Sequence, residues 1–306
     1  MIDPLSEFLT LLRPRAVFSK GISGAGRWAV RYSDFGEPGF CAVMEGSCRL
    51  MVDGHPAITL QAGDFVLLPA TPGFVMSGFE PATPQHIDPK VTAAPTGEVR
   101  HGRSGGRPDV RLLGGYLLFD SPDAALLVSL LPAVIHVRGE GRLPALVRMV
   151  REETQDSRTG RDLVLSRLVE ILMIEALRAT AAGEAAPGLL RGLADARVAT
   201  AMRLMHADPA RAWTVEMLAR KASLSRSAFF DRFMRAVGMP PMEYLLAWRM
   251  ALAKDLLRRQ AAVIDDVARR VGYASASTFS TAFSRHVGLP PRRFARQQTP
   301  AHAAAG

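Results

Sequence analysis

The sequence predicts an α+β protein with an N-terminal antiparallel β-barrel, a helical segment after it and a C-terminal all-α domain. Two observations carry this prediction. Apolar and polar residues alternate over short stretches between Trp28 and Phe119, whereas one pattern with helical spacing occurs twice between Thr214 and Gln297. The chain has 306 residues, of which 48% are hydrophobic and 22% charged. This length and composition suffice for two ordinary domains with apolar cores.

The first residues favour a short amphipathic helix over 5–12. Acidic residues, Asp3 and Glu7, stand where a signal peptide has a basic region, and no apolar run reaches membrane-spanning length. We therefore expect a cytoplasmic protein with no membrane partner.

Short strands follow, separated by frequent turns. Cys48, Leu50 and Val52 alternate with Ser47, Arg49 and Met51, and turns are indicated at Asp53-Gly54 and Gly63-Asp64. This spacing predicts an antiparallel barrel or sandwich. Residues 80–109 contain five prolines and four glycines, which predicts a long loop.

The chain contains two cysteines, Cys41 and Cys48. Two are too few for a disulfide framework, and core or incidental thiols are favoured over a redox pair. Their odd spacing predicts opposite faces of one continuous strand.

Helices are predicted over 122–131, with Ser121 as a cap, and roughly over 143–157 and 161–181. Apolar residues cover well over half of the circumference of the last helix, more than a one-sided surface helix needs. One apolar surface would pack on its own domain and the other on the same helix of a second chain. The alternative is a helix wholly buried within one chain. We assign residues 121–182 as a helical dimerisation segment and 183–194 as a linker.

One pattern occurs twice, fifty positions apart, in the C-terminal third. The first copy consists of Ser225, Phe229, Phe233, Gly238, Pro240, Pro241 and Tyr244. The second copy consists of Ser275, Phe279, Phe283, Gly288, Pro290, Pro291 and Phe294. An internal repeat indicates one supersecondary unit used twice.

Each copy has the residues of a helix with a start, one apolar face and an end. The serine can cap the helix, the two phenylalanines lie one turn apart on one face, and the glycine and prolines end it. A shorter helical run precedes each copy: Thr214 can cap the first, and Asp265 and Asp266 open the second. The sequence therefore predicts two helix-turn-helix motifs, over 214–234 and 263–285, whose second helices enter a DNA major groove.

The charge distribution supports contact with nucleic acid. Residues 195–306 hold 18 Lys and Arg against 8 Asp and Glu, whereas the preceding residues hold 20 against 21. The whole positive excess therefore lies in the C-terminal third, as expected of a surface that binds phosphates. The alternative is a solvated basic surface that contacts nothing.

Several segments in this third resemble the AraC/XylS transcription regulators. They are Trp213–Ala219, Ser225–Phe229, Trp248–Met250, Gly272-Tyr273 and Gly288–Pro291. The resemblance covers roughly the last hundred residues, which we assign as an AraC-type DNA-binding domain over 195–298. It implies seven helices: a leading helix, two helix-turn-helix motifs, a joining helix and a closing helix.

Two N-terminal segments, Glu45–Leu50 and Gly63–Pro69, resemble the small cupin domains found ahead of AraC-type DNA-binding domains. The resemblance implies a ligand-sensing domain over 1–120. Many cupins bind a metal through a His-x-His pair, a Glu and a later His. Here Phe74 stands where the later His is expected, and the isolated histidines are His55, His86, His101 and His136. We expect these four on the surface or in loops, and hence no metal, no cofactor and no catalytic residues.

The phenylalanines of the repeat face the core, so the opposite faces of the second helices are predicted to meet DNA. The predicted DNA-binding residues are Arg226, Ser227, Phe230, Asp231, Arg232, Arg249, Ala276, Ser277, Ser280, Thr281 and Arg285. The arginines are expected at phosphates and the others at base edges. Phe230 corresponds to Ser280, and Asp231 to Thr281, so the two motifs should prefer different bases.

These observations favour a sequence-specific DNA-binding transcription regulator that is not an enzyme. We expect it to bind double-stranded DNA as a homodimer. We also expect a small-molecule effector in the barrel, for which the sequence assigns no residues; its binding would shift the placement of two DNA-binding domains. Two alternatives stay open. One is a metal-dependent cupin enzyme tethered to a DNA-binding domain; the other is a structural protein that binds DNA without sequence preference.

Overall fold

The computed structural model describes residues 3–33, 36–87, 98–139, 141–155, 158–181, 187–259 and 263–298. Residues 88–97 of the predicted long loop and residues 183–186 of the predicted linker lie outside these ranges.

The described helices and strands follow one another with few long interruptions. In chain order they are α1 (Pro4–Leu12), β1 (Pro14–Ala25), β2 (Ala29–Tyr32), β3 (Gly39–Val52), β4 (Ile58–Gln61), β5 (Phe65–Leu68), β6 (Phe74–Ser77), β7 (Gln85–Ile87), β8 (Val99–Gly102), β9 (Val110–Phe119), α2 (Ala124–Ser129), β10 (Ile135–Val137), α3 (Leu143–Gln155), α4 (Arg161–Ala181), α5 (Leu189–Ala194), α6 (Ala196–Ala207), α7 (Val215–Lys221), α8 (Arg226–Val237), α9 (Pro241–Arg259), α10 (Ile264–Arg270), α11 (Ala276–Val287) and α12 (Pro291–Gln298).

These elements form two compact units. The sheet unit comprises Pro14–Phe119 and Pro132–Glu184, and the helical unit comprises Met1–Arg13, Asp120–Leu131 and Ala185–Gly306. The α+β class, with β structure ahead of the C-terminal helices, is confirmed. The division differs from the predicted boundary at residue 120, because α1 packs against α2, α6 and α9 within the helical unit.

The strands of the sheet unit form one curled sheet. Its main path runs β7-β2-β6-β3-β9-β1-β8, with β4 and β5 also paired to β3, and β10 paired to β5. Most neighbours are antiparallel, as predicted, but the pairs β1–β8 and β2–β7 are parallel. The result is a mixed half-barrel rather than a purely antiparallel barrel. Its apolar core includes Val30, Leu50 and Leu112.

Strand β3 contains a bulge that changes which side its residues face. Its pairing with β9 shifts between Val43 and Glu45. As a result, Cys41 and Cys48 both belong to the same apolar core cluster. The prediction of opposite faces was wrong, because an extra residue breaks the two-residue period of a strand. Burial raises the pKa of both thiols, that of Cys48 to about 12, so both stay protonated.

The predicted long loop over 80–109 is interrupted by two short strands. Residues 85–87 form β7, which pairs with β2, and residues 99–102 form β8, which pairs with β1. Both lie at edges of the sheet, where a short segment needs only one partner. Such pairing depends on distant strands and leaves little signal in a Pro- and Gly-rich sequence.

Two of the predicted helices, α3 and α4, complete the sheet unit. α4 packs against α3, β1, β5 and β10. Leu163, Val164 and Ile171 nevertheless keep 63%, 42% and 43% of their surface exposed. Within this chain α4 is therefore not wholly buried, and an apolar strip remains on its outer side.

The helical unit includes residues from three parts of the chain. Seven of its helices, α6 to α12, match the leading helix, the two helix-turn-helix motifs, the joining helix and the closing helix. α9, the joining helix, also holds the early segments through ion pairs: Arg13 with Asp255 at 2.7 Å, Asp120 with Arg258 at 2.6 Å and Asp123 with Lys254 at 2.6 Å.

The last residues of the predicted linker are helical. Residues 189–194 form α5, which packs against α6 and α8. Leu189 and Leu190 are fully buried, and the Leu189 N–H donates to the Leu130 carbonyl at 2.8 Å. Residues 189–194 therefore belong to the packed helical unit and do not form a flexible connection.

Candidate nucleic-acid interface

The first helix-turn-helix motif consists of α7 and α8, both of which begin at side-chain caps. The Thr214 Oγ1 accepts a hydrogen bond from the Met217 N–H at 3.2 Å, and the Ser225 Oγ accepts one from the Ala228 N–H at 3.3 Å. Ser223, in the turn, has a φ of +55°. Gly238 ends α8 with a φ of +84°. These caps and ends agree with the predicted pattern.

The second motif consists of α10, which begins after Val263 without a side-chain cap, and α11, which begins at a side-chain cap like α8. The Ser275 Oγ accepts a hydrogen bond from the Thr278 N–H at 3.2 Å. The turn contains Gly272, whose φ is +83°, and a Cβ there would lie 2.6 Å from the Ala210 carbonyl oxygen. Glycine is therefore required by both the backbone conformation and the close neighbour. Between its helices this turn is one residue longer than that of the first motif.

Matching aromatic clusters hold the two recognition helices, α8 and α11. Phe229 and Phe233 are fully buried, and Phe233 meets Tyr244 edge-on with ring centroids 5.7 Å apart. In the second motif Phe283 meets Phe294 edge-on at 5.5 Å. The repeated residues are therefore a repeated core, which turns the opposite faces of α8 and α11 outward.

The predicted DNA-binding positions on α8 and α11 lie outside the core. Arg226, Ser227, Phe230, Asp231, Arg232, Ser277, Thr281 and Arg285 are exposed, whereas Ala276 and Ser280 are half-buried. Phe230 keeps 39% of its surface exposed, unlike its buried neighbour Phe229. The two outer faces remain chemically different at matched positions.

Comparison with known proteins agrees with this architecture. A family model described as "Cupin" matches residues 3–182, and one described as "Helix-turn-helix domain" matches residues 218–297. A "Putative AraC-like transcription regulator" of Streptomyces lividans is 37% identical, covering 97% of this chain and 99% of that protein. A protein of the same description from Streptomyces antibioticus is 36% identical, covering 98% of this chain and all of that protein. The chain belongs to the AraC-like transcription regulators.

Among solved structures, this AraC-like regulator is similar to the DNA-binding domain of AdpA, described as a global transcriptional factor in complex with a target DNA. The identity is 27%, the match covers 34% of this chain and 92% of that one, and the TM-score is 0.32.

The predicted phosphate-binding arginines of this AraC-like regulator differ in their contacts. The Arg226 Nε lies 2.5 Å from Glu216, and the Arg232 Nε lies 2.6 Å from Asp195. Burial alone would raise the pKa of Asp195, but hydrogen bonds from Arg232 and from two backbone N–H groups outweigh it and lower the pKa. Arg285 has no ion pair within the described residues.

Arg249 has contacts unlike those expected of a phosphate anchor. Its Nε donates to the Pro209 carbonyl at 2.7 Å, and its second terminal nitrogen donates to the Arg211 carbonyl at 2.8 Å. Burial lowers the pKa of its guanidinium. Because two backbone carbonyls use its N–H groups, Arg249 is placed to hold the chain between α6 and α7.

One exposed arginine on α8 was missed by the sequence analysis. Arg235 lies fifty positions before Arg285 and occupies the same place on α8 as Arg285 does on α11. The repeat spacing itself was the signal that could have identified it.

The sheet unit of this AraC-like regulator contains a cavity of about 80 Å³. Its wall is mainly apolar, with Ile22, Val66 and Met76 among the lining residues. Tyr32 and Phe74 stack at 4.8 Å on this wall, and Lys20 also lines it. Burial lowers the pKa of Lys20. The concave side of the sheet thus has a small, mainly apolar cavity with one lysine on its wall.

The isolated histidines do not all lie where we expected. His136 is on β10 and its Nε2 lies 3.0 Å from the buried Asp64 carboxylate. His101 is on β8 and stacks on Trp28 with ring centroids 5.9 Å apart. The surface prediction was wrong for these two, because strand pairing brings each to a partner distant in sequence. Among the described residues, no group of three or more His, Cys, Asp or Glu could hold a metal. No described helix has the length and apolar character needed to cross a membrane.

Proposed function

We propose that this protein is a transcription regulator that binds specific DNA sequences through α8 and α11. The observation that carries the proposal is that two helix-turn-helix motifs share caps and an aromatic core yet expose unlike outer faces. A scaffold that repeats while its exposed side chains differ is suited to contact two different base sequences in successive major grooves.

The exposed side chains divide into two roles in this proposal. On α11, Ser277 and Thr281 are short hydroxyl side chains that can contact several base edges. On α8, Asp231 can accept a hydrogen bond from cytosine, and Phe230 can contact a thymine methyl group. Ala276, Ser280 and Ser227 border these positions. Arg226, Arg232 and Arg285 bind phosphates, which position the protein without specifying sequence. Arg249 acts by stabilising the chain between α6 and α7.

Selection of bound duplexes from a random pool by the full chain tests this function. We expect a bipartite site whose two parts differ in sequence. Equal enrichment of all duplexes would refute sequence-specific binding and favour a structural DNA-binding protein. Metal analysis of protein purified without added metal addresses the cupin enzyme alternative. We propose a regulatory role, because the relatives that match nearly the whole chain are named as regulators.

We infer that a small, largely apolar effector binds the cavity of the sheet unit. The support is the mainly apolar wall with Lys20 on it, since ligand cavities combine apolar walls with a few polar groups. Within the described residues, the chain passes between the two units at 13/14, 119/120 and 131/132. A ligand that favours one arrangement of the strands can therefore act on segments that enter the helical unit.

Binding of N-phenyl-1-naphthylamine, an uncharged fluorescent probe, tests the cavity. We expect saturable fluorescence enhancement with the wild-type protein and at least about tenfold weaker binding by Val66→Phe, whose larger ring fills space on the wall. Leu50→Phe provides a second variant on the same wall, and Met51→Phe, on the exposed side of β3, is the control. Equal binding by all four proteins would place the probe elsewhere.

We also propose that α4 forms the contact of a homodimer. Leu163, Val164 and Ile171 leave an exposed apolar strip on a helix whose other side is packed on the sheet. The same strip on two chains can form a self-complementary two-fold interface.

A further inference from the structure

A groove in the helical unit is bordered by α5, the start of α6 and the end of α8. Three arginines line it, Arg191, Arg232 and Arg235, together with Asp195. The remaining lining residues are alanines, whose short side chains leave the space between the guanidinium groups open. Of the residues that line the groove, only Arg232 was among the predicted DNA-binding positions.

The groove is positively charged. Asp195 forms the ion pair with Arg232 at 2.6 Å, and its carboxylate also accepts hydrogen bonds from the N–H groups of Arg197 and Val198. That single acid is therefore already satisfied. Arg191 and Arg235 are exposed and have no ion pair in the part of the chain that the structure describes. Two positive charges thus remain available to an anion.

The helix that carries Arg191 is firmly held. Leu189 and Leu190 are fully buried. A Cβ at Gly192 would lie 2.8 Å from the Met202 Sδ and 2.9 Å from the Val237 Cγ2, so α5 lies close to both α6 and α8. A charge on such a segment is presented with less loss of chain entropy than one on a flexible linker.

The position of Arg235 indicates which anion the groove meets. Ser227, Asp231 and Arg235 follow one another at four-residue steps and share one face of α8. The matching face of α11 contains Ser277, Thr281 and Arg285. Arg235 therefore ends the same face that is proposed to contact bases. This continuity favours the DNA backbone over an acidic protein as the partner.

We propose that Arg191 and Arg235 together bind a backbone phosphate that flanks the bases contacted by α8. α5 thereby extends the DNA-binding surface beyond the two helix-turn-helix motifs. The inference rests on the proposed DNA-binding function. Because phosphate contacts carry no base information, these arginines contribute affinity and placement of α8 rather than base preference.

The salt dependence of DNA binding tests the proposal, measured by fluorescence anisotropy with a duplex from the random-pool selection. Arg191→Gln and Arg235→Gln should each weaken binding, and the double variant should reduce the slope of log K against log[salt] by about 0.9, because one phosphate contact is lost. Base preference should not change. Arg107→Gln, on an exposed loop of the sheet unit, is the control and should keep the wild-type slope.

Ethylation interference provides a second readout on the same duplex. Ethylation of one phosphate should prevent DNA binding by the wild-type protein. The same ethylation should not prevent binding by Arg235→Gln. Unchanged slopes and an unchanged interference pattern, in a protein that still selects a sequence, would overturn the phosphate contact alone. Failure to select any sequence would instead refute the proposed function. Circular dichroism of the variants checks that they fold, as expected for exposed side chains.

Discussion

The Lys254 Nζ lies 2.6 Å from the Asp123 Oδ1, and both side chains are almost fully buried, with 11% and 9% of their surfaces exposed. This ion pair joins α9, which connects the two helix-turn-helix motifs, to the segment that precedes α2. It lies inside the helical unit, although Asp123 comes from a part of the chain more than a hundred residues away. The segment that follows β9 is therefore tied directly to the scaffold of the DNA-binding helices.

Removing one partner of this pair should destabilise the protein strongly. Asp123→Asn leaves the Lys254 ammonium buried without its counter-charge, which we expect to lower the free energy of unfolding by about 3–5 kcal/mol. Urea unfolding followed by circular dichroism measures this. Asp53→Asn removes an exposed partner of Arg31 and should lower the free energy of unfolding far less, because water screens that pair. Similar losses of the free energy of unfolding in the two variants would show that the buried ion pair has no greater effect than the exposed one.

His206 should make the helical unit sensitive to acid. Burial lowers its pKa from 6.5 to about 3, although Asp3 acts in the opposite direction. Its Nε2 lies 2.8 Å from the Tyr244 hydroxyl, and its ring stacks on Trp248 with centroids 3.7 Å apart. A buried neutral histidine is therefore built into the core of the first motif.

The loss of stability at low pH arises because His206 binds a proton more readily in the unfolded chain than in the folded chain. Above pH 6.5 the imidazole is neutral in both states. As pH falls from there, the unfolded chain binds a proton that the folded chain does not, so stability falls by up to about 1.4 kcal/mol per pH unit. We expect urea unfolding at about pH 5 to show a loss of roughly 2 kcal/mol relative to about pH 7.5. His206→Gln should remove most of this difference, whereas His55→Gln, on an exposed turn, should retain it.

The two serine caps should contribute similarly to the two motifs. Ser225→Ala and Ser275→Ala each remove the side-chain acceptor at the start of a recognition helix. Each should lower the free energy of unfolding by about 1 kcal/mol. Thermal unfolding measures the loss. Ser284→Ala, inside α11, is the matched control, and a loss as large there would show that the caps have no special role.

Different residues of α11 should determine base preference and overall affinity for DNA. Ser277→Ala and Thr281→Ala should change the preferred base at one position, by about 1–3 kcal/mol in discrimination. Arg285→Ala should weaken binding to all duplexes alike and reduce the salt slope by about one. Repeating the duplex selection with each variant measures both effects. A changed base preference with Arg285→Ala would assign that side chain to a base.

The α4 strip should control oligomeric state. Leu163→Arg and Ile171→Arg place charges on the proposed two-fold contact, so we expect monomers in sedimentation velocity at concentrations where the wild-type protein is dimeric. Met51→Arg changes an exposed apolar residue of the sheet unit and should leave the dimer intact. A wild-type protein that is monomeric at all concentrations would exclude this interface.

The local features of the helical unit were predictable from sequence. Caps at Thr214, Ser225 and Ser275 and the spacing of Phe229 and Phe233 act over a few residues, so their signals lie in neighbouring positions. The repeat then identified two copies of one motif without knowledge of their partners. The alternation in the N-terminal half indicated strands for the same reason.

Features that depend on distant contacts were decided only by the tertiary structure. The bulge in β3 moved Cys41 and Cys48 to one side, and the edge strands β7 and β8 formed where composition indicated a loop. The pair of Asp123 and Lys254 and the packing of α5 beside α8 place parts of the predicted dimerisation segment and linker within the helical unit. Sequence patterns report which face of an element is apolar, but the choice of partner for that face depends on the packing of the whole chain.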